Sequence, residues 1–364
     1  FILNTQGGSY TEEAFKADIQ SLKNAGIPVL VSIGGQNGHV ELNTPEEKTI
    51  YVNGIIRIIE EYGFDGIDID YEGGSMTIFN GPANSLDYSA ITDPELKYGI
   101  DAIREIHDYF GEDFIITTAP GLYYVQEGRS AYPGASQFIP FLHNIRDILD
   151  YIHVQYYNFG SKLWSALDGA VYSVGDPDII VAMTDMLITG FPLAGGTVQF
   201  EGLRADQVAI GLPAAPEAAG GVTPTNPNGY YYPTSDVIHA LDYLIKGTKD
   251  ESLDYTLRSG AHPQLRGIMT WSINWDATTN GGTESYEFAN TYHKYFSEIL
   301  SIKCRPHIHL RINKPNIFKL NDRIGYFFRP IFPARFDHSV GKSMERNIKN
   351  MTARTLKPSG ESSE

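Results

Sequence analysis

The stretch FDGIDIDYE, Phe64 to Glu72, carries four acidic residues among nine, interleaved with Phe64, Ile67, Ile69 and Tyr71. Unpaired charge is costly inside a protein, so the pattern needs a reason. In a strand, side chains alternate faces, and positions two apart lie about 6.6 Å apart on one side. Asp68, Asp70 and Glu72 therefore share one face, and Ile67, Ile69 and Tyr71 share the other. Asp65, at the strand's start and of the other parity, is expected to be structural.

Five further β-rich runs flank this one: PVLVSIGG (28–35), DFIITTAP (113–120), YIHVQYYN (151–158), QVAIGLP (207–213) and GIMTWSINW (267–275). Helical patterns lie between them at 12–25, 45–62, 94–110, 135–149, 176–189, 234–246 and 284–300. Two of these open on capping sequences, TPEEK (44–48) and TDPELK (92–97). Strands alternating with helices indicate βα units and a parallel sheet. No GxGxxG follows an early strand, which leaves a nucleotide-binding open sheet without support. Polar residues instead gather at strand C-terminal ends: Gly34–Gly35, Asp70–Glu72, Gln155–Asn158 and Trp271–Asp276. A TIM barrel concentrates its site there, so the expected fold class is α/β, a TIM (β/α)8 barrel. Six strands are fewer than eight. Phe1-Ile2-Leu3 reads as the end of another strand, and the barrel is expected to be incomplete at the N-terminus.

The chain has 364 residues and a formal charge of −16, which argues against nucleic acid as a partner. From Ile299 onward, 13 Lys and Arg stand against 5 Asp and Glu, while the whole chain has 28 against 44. This reversal marks an expected boundary between a unit at 1–298 and a basic, poorly ordered tail at 299–364. The single cysteine, Cys304, excludes an internal disulfide. No apolar run reaches the ~18 residues of a membrane helix, and no export leader is visible at Phe1. The Pro/Gly-rich segment 214–233 ends in three tyrosines and reads as a surface loop or as an aromatic-tipped loop beside the site.

Facing a barrel interior, the three carboxylates line the lumen, with Glu72 nearest the mouth. Like charges at this spacing raise one another's pKa, and a Glu kept protonated near neutral pH is a general acid. Two other readings stand beside acid–base chemistry: a metal site and a purely structural acidic cluster. An EF-hand fits poorly, because Ile69 and Tyr71 interrupt the ligands and position twelve is Phe79. The expectation is acid–base chemistry without metal or cofactor.

FDGIDIDYE resembles the DxxDxDxE signature of family 18 glycoside hydrolases, the chitinases and their relatives. Ser32-Ile33-Gly34-Gly35 matches their SxGG motif, and Gln155-Tyr156-Tyr157-Asn158 matches QxYN. MTWSINWD (269–276) is similar to the last-strand motif of bacterial chitinases. The resemblance keeps motif order over roughly 1–298, and it implies two strands upstream of the segment present here.

It also implies roles. Glu72 protonates the glycosidic oxygen and later activates water, while the substrate's own 2-acetamido carbonyl acts as nucleophile, an exception to the two-carboxylate rule. Asp70 orients the acetamido N–H, and Asp68 below it shares a hydrogen bond or proton with Asp70. Tyr157 donates to the acetamido carbonyl, with Gln155 and Asn158 around it. Trp271 forms the floor under the sugar, Gly34 and Gly35 allow close backbone approach, and Tyr124 is a further substrate contact. Tyr123, Trp164 and Trp275 are weaker subsite candidates. One departure is Thr118-Ala119-Pro120-Gly121, where close relatives carry a MAPE-like sequence; it touches the wall of the site, and so substrate preference.

The implied function is hydrolysis of β-1,4-linked N-acetylglucosamine by a secreted monomer, with chitin or chito-oligosaccharides as partner and no membrane. Three alternatives remain: an endo-β-N-acetylglucosaminidase on N-glycans, a non-catalytic chitin-binding lectin, and an inactive fragment.

Overall fold

The computed structural model describes residues 10–72, 75, 86–126, 138–160, 162–193, 198–220 and 229–303. The expected strand remnant Phe1–Leu3 and the basic tail beyond 303 lie outside the described residues.

In chain order, α1 (Glu12–Asn24) precedes β1 (Leu30–Gly34), α2 (Pro45–Tyr62), β2 (Gly66–Asp70), α3 (Pro94–Phe110) and β3 (Ile115–Thr118). Then come α4 (Leu122–Gln126), α5 (Phe138–Ile145), β4 (Tyr151–Gln155), β5 (Lys162–Trp164), β6 (Val171–Ser173) and α6 (Pro177–Thr189). The last elements are β7 (Phe191–Leu193), β8 (Val198–Phe200), β9 (Val208–Pro213), α7 (Thr234–Lys246), β10 (Gly267–Trp271), α8 (Ile273–Asp276) and α9 (Glu287–Lys303). Six strands form one sheet, ordered β1-β2-β3-β4-β9-β10, and every pair is parallel. Helices follow the strands on the outside: this is the α/β arrangement of a TIM barrel. Among the described residues β1 and β10 each pair on one side only. The pairs β5–β6 and β7–β8 are separate antiparallel hairpins.

Local sequence explains the helix starts. Thr44 and Glu47 make a reciprocal capping box with Pro45 at the first helical position, and Asp93 and Asp176 cap α3 and α6. Such caps are each worth about 1 kcal/mol. Gly63 ends α2 in a left-handed conformation, turning the chain directly into β2.

The outward face of β2 is core. Ile67, Ile69 and Tyr71 are fully buried, in one cluster with Ile55 and Ile59 of α2 and Ile100, Ile103 and Ile106 of α3. Each such aliphatic side chain stabilises by roughly 1.5–3 kcal/mol. Tyr71 meets the Tyr51 hydroxyl at 2.7 Å and packs against Phe141 with centroids 5.9 Å apart, so its polar tip is satisfied. Asp65 is structural, as expected: it accepts the Val29 N–H at 2.9 Å and pairs with Lys23 at 3.0 Å, tying β1 to the start of β2.

Three expectations change. The last β-run ends at Trp271, and Ile273–Asp276 is helical. Asp276 there is buried and accepts the N–H groups of Phe288 and Ala289, an anchor for α9. The tyrosines of the 214–233 loop are packing residues. Tyr232 is buried, and Tyr230 donates to the Gly160 carbonyl at 3.1 Å; residues 221–228 lie outside the described residues. Helix α9 runs through position 299 to Lys303, across the point where the charge balance reverses.

Candidate active site

The parallel register places Ser32 beside Asp68 and Gly34 beside Asp70 on one flank, and Thr117 beside Asp68 on the other. Alternation then turns Asp68, Asp70 and Glu72 to the inner face, with Glu72 just past the strand's end. On β4, His153 and Gln155 share the parity that faces them, and Tyr157 follows two residues past the strand's end.

Asp68 lies lowest. Its carboxylate accepts from Ser32 Oγ at 2.8 Å, Thr117 Oγ1 at 2.6 Å and His153 Nε2 at 2.9 Å. Burial pushes its carboxyl up, but attraction to the His153 ring and these three bonds outweigh it and hold Asp68 below the usual carboxylate range.

Asp70 behaves oppositely. Burial first, then the negative charges of Glu72 and Asp68, push it up to about 8, and a hydrogen bond to Glu72 adds to the rise. Gln155 works against this: its Nε2 donates to Asp70 Oδ1 and Glu72 Oε1, both at 3.0 Å, and to the Ala119 carbonyl at 2.7 Å. Like-charge proximity contributes to the rise at Asp70, behind burial. The expected proton sharing between Asp68 and Asp70 is replaced by contact between Asp70 and Glu72, because Asp68 has three other donors.

Tyr157 is buried, and its hydroxyl is pushed well up by burial, then by Asp70, Glu72 and Asp68. It stays protonated and is a donor over the working range. Asn158 is exposed, with a left-handed backbone at φ 56°; among the described contacts its side chain makes no bond to the carboxylates. Gly34 meets its expectation. At φ 112°, a Cβ there would stand 2.2 Å from the Asp70 carbonyl oxygen. Gly35 donates its N–H to that same oxygen at 2.7 Å. Trp271 ends β10 with half its surface exposed, 50%, an indole open to solvent.

Tyr124 is half-buried on α4 against Tyr123, ring centroids 5.8 Å apart, and it packs on Gly121. Trp164 is exposed on the β5–β6 hairpin, its indole N–H donating to the Gly169 carbonyl; Trp275 packs against the core. Thr118 lies on the outer side of β3, opposite the site, and donates to the Ile69 carbonyl at 2.8 Å. Of that departure, Thr118 therefore falls in the core, while Gly121 bridges to Gln155 beside the site. His153 and Thr117 were not singled out from sequence, although the alternation in YIHVQ and IITT points both inward. Among the described residues there is no cluster of His, Cys, Asp and Glu that could hold a metal, and no helix long and apolar enough to cross a membrane.

The arrangement offers a half-buried carboxyl, Glu72, at the open end of the sheet, a proton-bearing neighbour, a fixed anion beneath, a phenol donor and an exposed indole. Comparison with known proteins gives the same context. Chitinase ChiA of Flavobacterium johnsoniae is 42% identical over 300 residues, covering 81% of this chain and 18% of its own length. Exochitinase 1 of Streptomyces olivaceoviridis is 40% identical over 79% of this chain and 46% of its own. The chain thus spans about half or less of these curated relatives. A family 18 chitinase from Chromobacterium violaceum superposes with a TM-score of 0.66 at 34% identity, covering 80% of this chain and 70% of that one. Residues 6–276 match the family model described as glycosyl hydrolases family 18, and the chain belongs to that family.

Proposed function

We propose that this chain hydrolyses β-1,4-linked N-acetylglucosamine in chitin and chito-oligosaccharides, retaining the anomeric configuration, outside the cell. The observation that carries the reading is the placement of Asp70 and Glu72 side by side on one strand face, where a single Gln155 Nε2 donates to both at 3.0 Å. A retaining pair with an enzyme nucleophile holds its carboxyls about 5–5.5 Å apart, on either side of the reacting carbon. Neighbours on one strand that share one donor do not flank that carbon from opposite sides, which supports a nucleophile brought by the substrate.

Glu72 is the acid that protonates the leaving oxygen and then the base that activates water. Asp70 gives its proton toward Glu72 in the resting site, then orients the acetamido N–H and balances the oxazolinium charge. Asp68 supplies the fixed negative charge beneath. Tyr157 donates to the acetamido carbonyl, Gln155 holds the two upper carboxyls in place, and Trp271 is the platform for the sugar's C–H face. Gly34 and Gly35 bring β1 close under Asp70, and Tyr124 and Asn158 are outer contacts. The catalytic unit is the barrel through the end of α9 at Lys303, working as a monomer without cofactor or metal, with the basic residues beyond it as an appendage.

The test is hydrolysis of a soluble chito-oligosaccharide by the chain and by Glu72→Gln, with the product anomer read by proton NMR. Loss in Glu72→Gln of about 10³-fold or more, the β-anomer first, and inhibition by a thiazoline analogue of the oxazoline support it. Activity surviving Glu72→Gln, or α-anomer first, overturns it.

A further inference from the structure

Asp68 is surrounded by donors of two kinds. Ser32 and Thr117 approach with hydroxyls at 2.8 and 2.6 Å, from β1 and β3. A hydroxyl both donates and accepts, and rotates to suit, so these two tolerate Asp68 charged or protonated. His153, from β4, approaches at 2.9 Å with Nε2. An ionised carboxylate only accepts, so Nε2 carries the hydrogen. The other ring nitrogen, Nδ1, is buried and has no hydrogen-bond partner among the described residues. Moving the ring proton there would bury an N–H with nothing to receive it. His153 is therefore the one of the three whose hydrogen is fixed toward Asp68, whereas the two hydroxyls can turn to accept.

We propose that His153 is a positioning residue: its Nε2–H holds Asp68 as the permanent anion at the base of the carboxylate ladder, and so keeps the ladder's mobile proton on Asp70 and Glu72. The catalytic meaning of this rests on the function proposed above; the protonation pattern does not. Other titratable groups around Asp68 are Asp70 on its own strand and Glu72 just past its end, with Tyr151 of β4 and Tyr157 just beyond β4. The Tyr151 ring lies beside His153, centroids 5.7 Å apart, and the Arg266 guanidinium sits 4.9 Å from the same ring. His153 hydrogen-bonds Asp68 directly.

The experiment compares the whole chain with His153→Phe, which keeps a ring and removes the donor, and His153→Gln, which restores a donor. Carboxyl-labelled aspartate is titrated by ¹³C NMR, with Asp68→Asn for assignment. In His153→Phe, Asp68 is expected to titrate at least about one pH unit higher than in the parent; His153→Gln returns it toward the parent. On a soluble chito-oligosaccharide, His153→Phe is expected to lower kcat by about tenfold or more, with KM within about threefold and the acid limb of the profile moved to higher pH. The Gln variant recovers most of the rate.

Unmoved aspartate titrations in His153→Phe overturn the proposal, as do equal rate losses in both variants with unchanged limbs. If the parent chain hydrolyses nothing, the proposed function fails and the NMR titration still decides this one. Should His153→Phe not fold, ¹⁵N NMR of the parent imidazole decides: the Nε2–H tautomer or the doubly protonated ring agrees, and Nδ1–H alone overturns it.

Discussion

The α-carbon of Gly34 faces the backbone of Asp70 so closely that an added Cβ would stand 2.2 Å from the Asp70 carbonyl oxygen. The glycine sets how near β1 comes to the residue whose carboxyl carries the raised pKa. Gly34→Ala is therefore expected to lower stability by about 2 kcal/mol or more and to reduce activity with it. Gly26→Ala, also at positive φ but with open space around it, is the control, at about 1 kcal/mol. Denaturant unfolding of both variants checks the difference.

Gln155 donates to Asp70 and Glu72 together, and its bond is what draws the Asp70 pKa down. Gln155→Leu is expected to cut kcat/KM by roughly 10²-fold. With the donor gone, Asp70 holds its proton to a higher pH, so the alkaline limb of the pH–rate profile moves upward from about 8. A downward shift of that limb would reverse the assignment.

Asp70 also bears on stability. Its carboxyl has a higher pKa folded than the ordinary 3.8, near about 8, so the folded chain binds the extra proton. Its contribution is fully present below about pH 4, declines as pH rises toward 8, and is constant above. Asp70→Asn removes this decline. It is expected to stabilise the chain at pH 8 by on the order of 2 kcal/mol while abolishing hydrolysis, with little difference at pH 4. Melting curves at the two pH values measure it.

Tyr71 lies on the opposite face of β2, its hydroxyl 2.7 Å from that of Tyr51. Tyr71→Phe strands the buried Tyr51 hydroxyl and is expected to cost about 1–2 kcal/mol. Activity per folded molecule should stay within about twofold, since no charge in the lumen changes. A tenfold loss would show that the two faces are not independent.

Trp271 is half exposed, 50%, and little of the fold depends on its ring. Trp271→Ala is expected to raise KM for chito-oligosaccharides about tenfold, the equivalent of ~1.4 kcal/mol of stacking. The melting temperature should change by no more than a few degrees.

Much of this was legible in the residues. Pro45 behind a Thr44 cap and Pro94 behind Asp93 fixed where two helices start, because the cap geometry is local. The six core strands stood out because βα spacing is regular. The two hairpins were not seen: strands of three residues are too short to show a period. Asp178 and Asp185 of α6 were also passed over. Asp178 holds the N–H groups of Asp254 and Tyr255, and Asp185 receives Tyr255, His262 and the Arg258 N–H. Nothing in a helix pattern announces a partner some 70 residues away. His153 was missed for another reason: a lone histidine in an apolar strand looks like filler until its parity with Gln155 and Tyr157 is taken together with Asp68.

The two-sidedness of β2 has one more consequence. A single-residue insertion or deletion between the Gly63 turn and Asp68 would slip the strand by one and exchange its faces. Three carboxylates would enter the helix-lined core, and Ile67, Ile69 and Tyr71 would line the cleft. Such a change destroys chemistry and folding in one step. The turn length before β2 is thus an inheritance that lineages cannot edit gradually, even though no atom of that turn need touch a sugar.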